Sequence, residues 1–320
     1  ETPLQVASIL QRQGDNSNTN GLIERALFLF DWSLPNSFEL GDAQSRLPFE
    51  FFLNRQIYLT LFRYITVLTQ KSTYFTAFTY SKLILSFDPN DDPYGVRYFI
   101  DYYAFMASEF EWIIEFFQSS LCQCYSEWRT PSLMYTVSMS YFQIGEKTKA
   151  IEHLKLAYLN HPYTGHEILE KLGDVNHPWL LKDVSDSVKL ASAIYSVRLP
   201  MLCEDLPMKQ FILKELAMII ENVGKPNLDG YYLNNKKEIP LNLIRHVILS
   251  NESSAMAKIP ESFWKENEVY EFDLLPPSIG TTVYNYIDDE KMTQEMMMHP
   301  MQTEEIRQMD DLLRQNIREE

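Results

Sequence analysis

Apolar positions along this chain recur at three- and four-residue spacing and are interrupted by clusters of proline, glycine and aspartate, the pattern of packed helices joined by short turns. Thr2-Pro3-Leu4-Gln5 forms a capping box with proline at the first helical position, and Leu4, Ala7 and Leu10 predict a helix to about Gln13. The polar run 14–20 is expected as a loop. Leu22, Ile23, Ala26, Leu27 and Phe30 then mark the inner side of a second helix, completing an antiparallel pair. After the turn at Gly41 and Asp42, residues 51–68 and 73–87 predict a second pair, and residues 93–106 and 109–119 a third across the turn at Ala107 and Ser108. Residues 133–144 and 147–159 predict a fourth, with Gly145 stopping its first helix and Pro162 its second. Further helices are expected over 166–172, 184–198, 207–222 and 241–250, broken by Pro178, Pro200, Pro226 and Pro240.

The corner between the second and third pairs, Phe87-Asp88-Pro89-Asn90-Asp91-Asp92-Pro93, is the sharpest of these breaks. Pro89 ends one helix by fixing φ and pushing Asp88 out of the α region. Asp92 is placed to cap the next helix, and Pro93 fits its first position. In the fourth pair Met134, Val137, Ser138, Tyr141, Ala150, Leu154 and Pro162 fall at tetratricopeptide offsets. Leu61, Tyr64, Ile65, Leu68, Ala77, Ser81 and Pro89 fall at the same offsets with more departures. The fold class expected is all-α: tetratricopeptide-like antiparallel helical repeats forming an α-solenoid over residues 1–165, continued or capped by 166–260. Residues 261–290, with β-branched and aromatic residues around Pro276-Pro277, are expected as an extended arm laid over the helices. Residues 291–320 form an acidic, Met-rich tail in which Thr303 caps a short helix with Ile306, Met309, Leu313 and Ile317 on one face. Docking of that helix in cis would close the solenoid.

Composition agrees with a large helical core: 45% of the 320 residues are hydrophobic, and only ten are glycine. The formal charge of −16 disfavours nonspecific nucleic-acid binding and suits a basic partner surface. That charge is unevenly placed, because residues 261–320 hold 15 acidic and five basic residues and so carry −10 of it. Cys122, Cys124 and Cys203 are an odd number without zinc-ligand spacing, so reduced thiols and no metal are expected. No apolar run reaches membrane-spanning length, no signal peptide is visible, and Glu1 without a leading Met points to further residues upstream.

Enzyme signatures are weak. His166-Glu167 lacks a second histidine at metalloprotease spacing, no G-x-S-x-G elbow occurs, and no cofactor is expected. The concentrated polar group is Asp88, Asp91, Asp92 and Asp101. The first three suit turn chemistry. If the helix starts at Pro93, then Tyr94, Tyr98, Asp101 and Phe105 share one face, placing a carboxylate on an aromatic stripe. Two readings follow: a buried carboxylate satisfied by a neighbouring hydroxyl, or a groove in which Asp101, Tyr94, Tyr98 and Tyr102 meet a partner. From Asp88 to Glu111 six acidic residues accompany one basic residue, so such a groove would suit a Lys- or Arg-bearing face.

The stretches GLIERALFLFDWSLPNSFEL (21–40), YSKLILSFDPNDDPYGVRYFIDYYA (80–104), IRHVILSN (244–251) and YEFDLLPPS with VYNYI (270–287) resemble the transcription factor 25 family, also named ribosome quality control complex subunit 1. The likeness covers most of residues 1–287 in the same order. It implies a non-enzymatic scaffold subunit of the ribosome-associated quality control complex on 60S subunits carrying stalled nascent chains. Such a subunit acts with the listerin E3 ligase, promotes degradative ubiquitin chains and helps recruit an AAA segregase. Ubiquitin and the ligase are the partners implied, in the cytoplasm and with the nucleus as a second compartment. Members also carry a basic N-terminal region that this sequence lacks, so direct nucleic-acid binding is not expected of it. The alternative is the protein-interaction module of a transcriptional regulator.

Overall fold

A computed structural model describes residues 3–35, 38–41, 45–173, 184–224 and 238–278. The expected tail helix at 303–317 and the breaks at Pro178 and Pro226 lie outside these residues. Within them the chain is an all-α solenoid, with a single bridge, Tyr270 to Asp273, as its only sheet-like pairing. No described helix is long and apolar enough to cross a membrane.

Helices α1 (Pro3–Arg12) and α2 (Asn16–Ser33) form the first pair. The polar run after Gly14 is mostly helix rather than loop, because the Asp15 carboxylate accepts from the Asn18 N–H at 3.2 Å and starts α2 five residues earlier than apolar periodicity alone indicates. Helices α3 (Phe52–Gln70) and α4 (Tyr74–Phe87) pack next, followed by α5 (Ile100–Met106), α6 (Phe110–Gln118) and the short α7 (Ser120–Cys124). Then come α8 (Pro131–Gln143), α9 (Lys147–Asn160) and α10 (Pro162–Leu172). Pro162 opens α10 instead of merely ending α9, so the expected division after residue 165 falls inside a helix whose Ile168 and Leu169 are part of the main core.

Helix α8 runs through the centre. Thr130 Oγ1 caps it by accepting from the Leu133 N–H at 3.2 Å, Pro131 occupies the first position, and all residues from Pro131 to Tyr141 are buried. Its hydroxyls are all used internally: Ser138 donates to the Ala150 carbonyl at 2.7 Å, Ser140 to the Thr136 carbonyl, and Ser132 and Thr136 to Asp101. Helices α11 (Asp186–Leu202) and α12 (Leu206–Val223) complete the body, with α11 folding back onto α5 and α8. Pro200 does not end α11; it sits on the exposed side of the last turn, where its missing donor forfeits one bond and the helix continues to Leu202.

A second, smaller core joins α11 to α13 (Leu241–Ser250) and α14 (Ser253–Met256) through Val188, Ile194, Leu243, Val247 and Ala255. The expected arm opens with a helix, α15 (Glu261–Glu266), and only then extends. Leu274 and Leu275 enter the second core, while Asp273 reaches across to α3.

Candidate functional site

The corner between α4 and α5 departs from the sequence expectation in a way that moves every candidate side chain. Asp88 leaves helical geometry as expected, and its carboxylate accepts from the Asp91 N–H at 3.2 Å. No helix starts at Pro93, however. Asp92 takes a left-handed conformation (φ +45°), Gly95 another (φ +66°), and a single 3₁₀ turn, Val96–Tyr98, precedes α5. Asp92 still caps: Oδ1 accepts from Val96 N at 2.6 Å and Oδ2 from Arg97 N at 3.0 Å and Arg97 Nε at 2.8 Å. Burial raises the Asp92 carboxyl, opposed by Arg97 and by the two backbone donors. Burial alone would lower the Arg97 guanidinium, but the adjacent Asp92 charge more than offsets it.

Gly95 is required twice over. Its φ is unfavourable for side-chain-bearing residues, and a Cβ there would lie 2.7 Å from the Asn242 carbonyl oxygen. This close approach brings α13 against the corner.

The continuous stripe Tyr94–Tyr98–Asp101–Phe105 therefore does not form, and all four candidate site residues are interior. Tyr94 packs edge-on against Phe49, Tyr58 and Phe62 in the main core, and burial raises its hydroxyl pKa. Tyr98 belongs to the second core and stacks on His246. Tyr102 donates to Met201 Sδ at 3.3 Å, beneath the Arg198 guanidinium. Asp101 is completely buried; its Oδ2 accepts from Ser132 Oγ at 2.5 Å and Thr136 Oγ1 at 2.8 Å. Burial raises its pKa, while the two hydroxyls and the more distant Arg198 oppose the rise. The partner-groove reading of these four residues is thus corrected: Asp101 holds α5 to α8 from inside. Arg198 extends the same interior, donating to the Tyr98 carbonyl at 2.5 Å and to His246 Nε2 at 2.6 Å.

What the corner does present outward is a cleft of about 630 Å³, walled by the segment before α3, the α4–α5 turn, the first turn of α13 and the end of the arm. Its lining is mixed: Glu50, Asp88, Asn90 and Asp91, the basic or polar Arg97, Asn242 and Arg245, and the apolar Pro48, Phe49, Pro93, Leu241 and Pro277. Arg245 is held by main-chain carbonyls: Leu275 O at 2.9 Å (Nε) and 2.5 Å (Nη2), and Pro93 O at 3.2 Å (Nη1). Burial lowers its pKa to about 10, and its guanidinium lies 4.7 Å from the Phe49 ring centroid.

The arm that completes the cleft is fixed through a second arginine. Arg55 grips Asp273 with two bonds, Nε to Oδ1 at 2.6 Å and Nη2 to Oδ2 at 3.0 Å, while Nη1 reaches the Phe49 and Glu50 carbonyls. Sequence reasoning found Asp88 and Asp91 but missed Glu50, Arg55, Asn242, Arg245 and Asp273. The available signal was an arginine inside an otherwise apolar helical run, FLNRQIYLTL and LNLIRHVIL, which demands a partner when the run is buried.

Asp88, Asn90, Asp91, Pro93, Arg97, Arg245 and Pro277 of the cleft fall in the stretches that carry the family likeness, and comparison with known proteins decides that likeness. Residues 1–277 match the family described as Transcriptional repressor TCF25. The chain belongs to this family. It is 39% identical over 294 residues to Ribosome quality control complex subunit 1 of Saccharomyces cerevisiae, covering 86% of this chain and 40% of that protein. The Schizosaccharomyces pombe protein of the same name is 31% identical over 87% of this chain and 41% of its own length. The human Ribosome quality control complex subunit TCF25 is 27% identical over 91% and 46%. The chain thus spans less than half the length of these relatives. No solved structure matches it.

Proposed function

We propose that this chain is the helical scaffold part of a ribosome-associated quality control subunit, without catalytic activity of its own. It would act with a listerin-type E3 ligase on 60S subunits that hold stalled nascent chains, promoting degradative ubiquitin-chain formation and recruitment of an AAA segregase. The observation that carries this reading is the extent of the similarity: relatives named for ribosome quality control align over the helical body, the Asp-Pro corner and the arm together. The architecture supports it physically, because helix pairs buttressed by a long-range arm form a rigid platform with its candidate carboxylate, Asp101, committed to internal hydrogen bonds. Activity in the cytoplasm follows from the same reading, with the nucleus as a second compartment.

A transcriptional role is the second reading, favoured by the family's description and by 28% identity over 117 residues to a Probable transcription factor of Ampulloclitocybe clavipes. The two are separated by cross-linking and gradient sedimentation of the tagged chain from cells translating a stalling reporter. Enrichment with 60S subunits and the ligase is expected. Absence from both, with promoter association insensitive to translation arrest, would overturn the ribosomal reading in favour of the transcriptional one.

A further inference from the structure

The lining of the corner cleft carries two kinds of group. The exposed carboxylates of Glu50 and Asp91 and the half-buried Asp88 supply acceptors. The same lining also holds N–H donors left over after the internal bonds are made. Arg97 is 93% buried by side chain, its Nε is bound to Asp92, and its guanidinium lies 4.5 Å from the Trp128 ring centroid, yet no described group accepts from its two terminal nitrogens, and it lines the cleft. Beside it α13 begins at Pro240 with no side-chain cap. The Leu243 and Ile244 N–H groups turn back to the Pro240 carbonyl, and among the described residues those of Leu241 and Asn242 have no acceptor. Uncapped N–H groups at a helix N-terminus favour a carbonyl or carboxylate oxygen.

A ligand matching both kinds of group carries a cation together with oxygen acceptors. A phosphate-rich ligand would face three carboxylates, and no described group of three His, Cys, Asp or Glu side chains is arranged to hold a metal ion. The volume is that of a pocket able to enclose a group the size of a small ligand, enough for one long side chain and its adjoining main chain. Pro48, Phe49, Pro93 and Pro277 offer apolar wall for the methylene stem of a long basic side chain. The stretch that follows the arm's end directly, residues 279–287, contains no basic residue.

We propose that this cleft binds an extended polypeptide segment bearing Lys or Arg. The cation sits against Glu50, Asp88 and Asp91, and the neighbouring main-chain carbonyls sit against Arg97 and the first turn of α13. The proposal deepens the scaffold reading by naming the chemistry of a partner contact, but it rests on the cleft rather than on ribosome association.

The test is fluorescence anisotropy of the full chain with labelled Gly-Ser peptides carrying a central Lys-Lys or Arg-Arg, against Gln-Gln and Glu-Glu counterparts. Basic peptides are expected to bind, more weakly as salt rises. The double variant E50K/D91K should bind them at least about tenfold more weakly and shift its preference towards Glu-Glu. Both substituted residues are exposed, so an unchanged melting midpoint will show that folding is intact. Equal binding of basic and Gln-Gln peptides, or equal affinity of E50K/D91K and the parent, would overturn the proposal, as would no binding of any basic peptide at millimolar concentration. A chain that still sediments with stalled 60S subunits after such a result leaves the scaffold reading standing.

Discussion

Between Thr130 and Asn160 the α8–α9 pair is held by contacts made within the pair or with adjoining helices: Val137, Ala150 and Leu154 are completely buried, and Ser138 is bonded to the Ala150 carbonyl twelve residues away. The corner at Asp88–Arg97 and the arm it receives are held otherwise. Arg55 reaches Asp273 across 218 residues, and Arg245 reaches the Pro93 carbonyl across 152. The first region stands on non-directional burial, which tolerates small misfits. The second stands on desolvated charges, which tolerate no missing partner. The difference explains how an acidic, solvent-facing cleft can be framed by arginines without softening: each arginine is fixed by carbonyls or a carboxylate before any ligand arrives.

The sharpest way to break the comparison is to remove one partner of the arm's ion pair. Asp273→Ala leaves the Arg55 charge buried and uncompensated and is expected to cost about 3–5 kcal/mol. The urea midpoint reads this directly. The paired replacement R55M/D273L should recover much of the loss, since two apolar side chains leave no orphaned charge. In the α8–α9 pair the corresponding lesion is a cavity: Leu154→Ala, at a completely buried position, should cost about 3 kcal/mol with no double-variant recovery of the kind the ion pair shows.

These two lesions also mark what could be read from the sequence. The helix pair was legible because its determinants are local: Pro131 and Thr130 start α8, Gly145 (φ +87°) ends it, and apolar spacing sets the buried face. Helix α3 and α4 were placed within two residues for the same reason. The corner was half legible. Asp-Pro-x-x-Asp-Pro announces a sharp turn, but whether Asp92 caps an α-helix starting at Pro93 or, left-handed, caps a 3₁₀ turn depends on α13 arriving from about 150 residues away to meet Gly95. Moving the start of α5 from Pro93 to Ile100 turned Asp101 and its tyrosines inward, so the groove expected from them is instead a buried junction, and an acidic cleft lies one turn earlier.

Two glycines bring that contrast to a single substitution. Gly95 and Gly145 both have positive φ, but a Cβ at Gly145 meets nothing within 4 Å, whereas at Gly95 it would meet the Asn242 carbonyl at 2.7 Å and Tyr98 Cδ2 at 2.9 Å. Gly145→Ala should cost about 1 kcal/mol, the local conformational term alone. Gly95→Ala adds a collision with backbone and should cost about 2–3 kcal/mol, and hydrogen exchange at α13 should rise with it.

Acid weakens both regions by the same mechanism. His161, where α9 meets α10, is buried with its pKa lowered to about 3, chiefly by desolvation, and its Nε2 donates to the Arg129 carbonyl at 2.8 Å. His246 at the corner is lowered well below 6.5 by burial and then by Arg198. Below pH 6.5 the unfolded chain takes up protons that the native histidines refuse, so stability falls as pH falls, by about 1.4 kcal/mol per pH unit for each histidine that stays neutral. Asp101 opposes this at lower pH, because its raised pKa makes the native state the better proton acceptor there. Denaturation series from pH 7.5 to 5 should show the loss. Substituting His161 or His246 with Gln should reduce its slope, and an unchanged slope in both variants would sink the assignment.

The smallest expected effect on stability is the most informative about the cleft. Glu50 and Asp91 are exposed, make no ion pair among the described residues, and share the cleft lining with arginines whose charges are already answered by Asp92 and by main-chain carbonyls. Replacing both with glutamine and asparagine, E50Q/D91N, should therefore move the unfolding free energy by less than about 0.5 kcal/mol. If these carboxylates were instead needed to neutralise Arg245 through the cleft, the double variant would destabilise the arm, raising exchange at Leu274 and Leu275 and lowering the urea midpoint. Unchanged stability together with weakened binding of Lys-Lys peptides would separate the two roles: interior charges that hold the corner, and rim charges kept free for a partner.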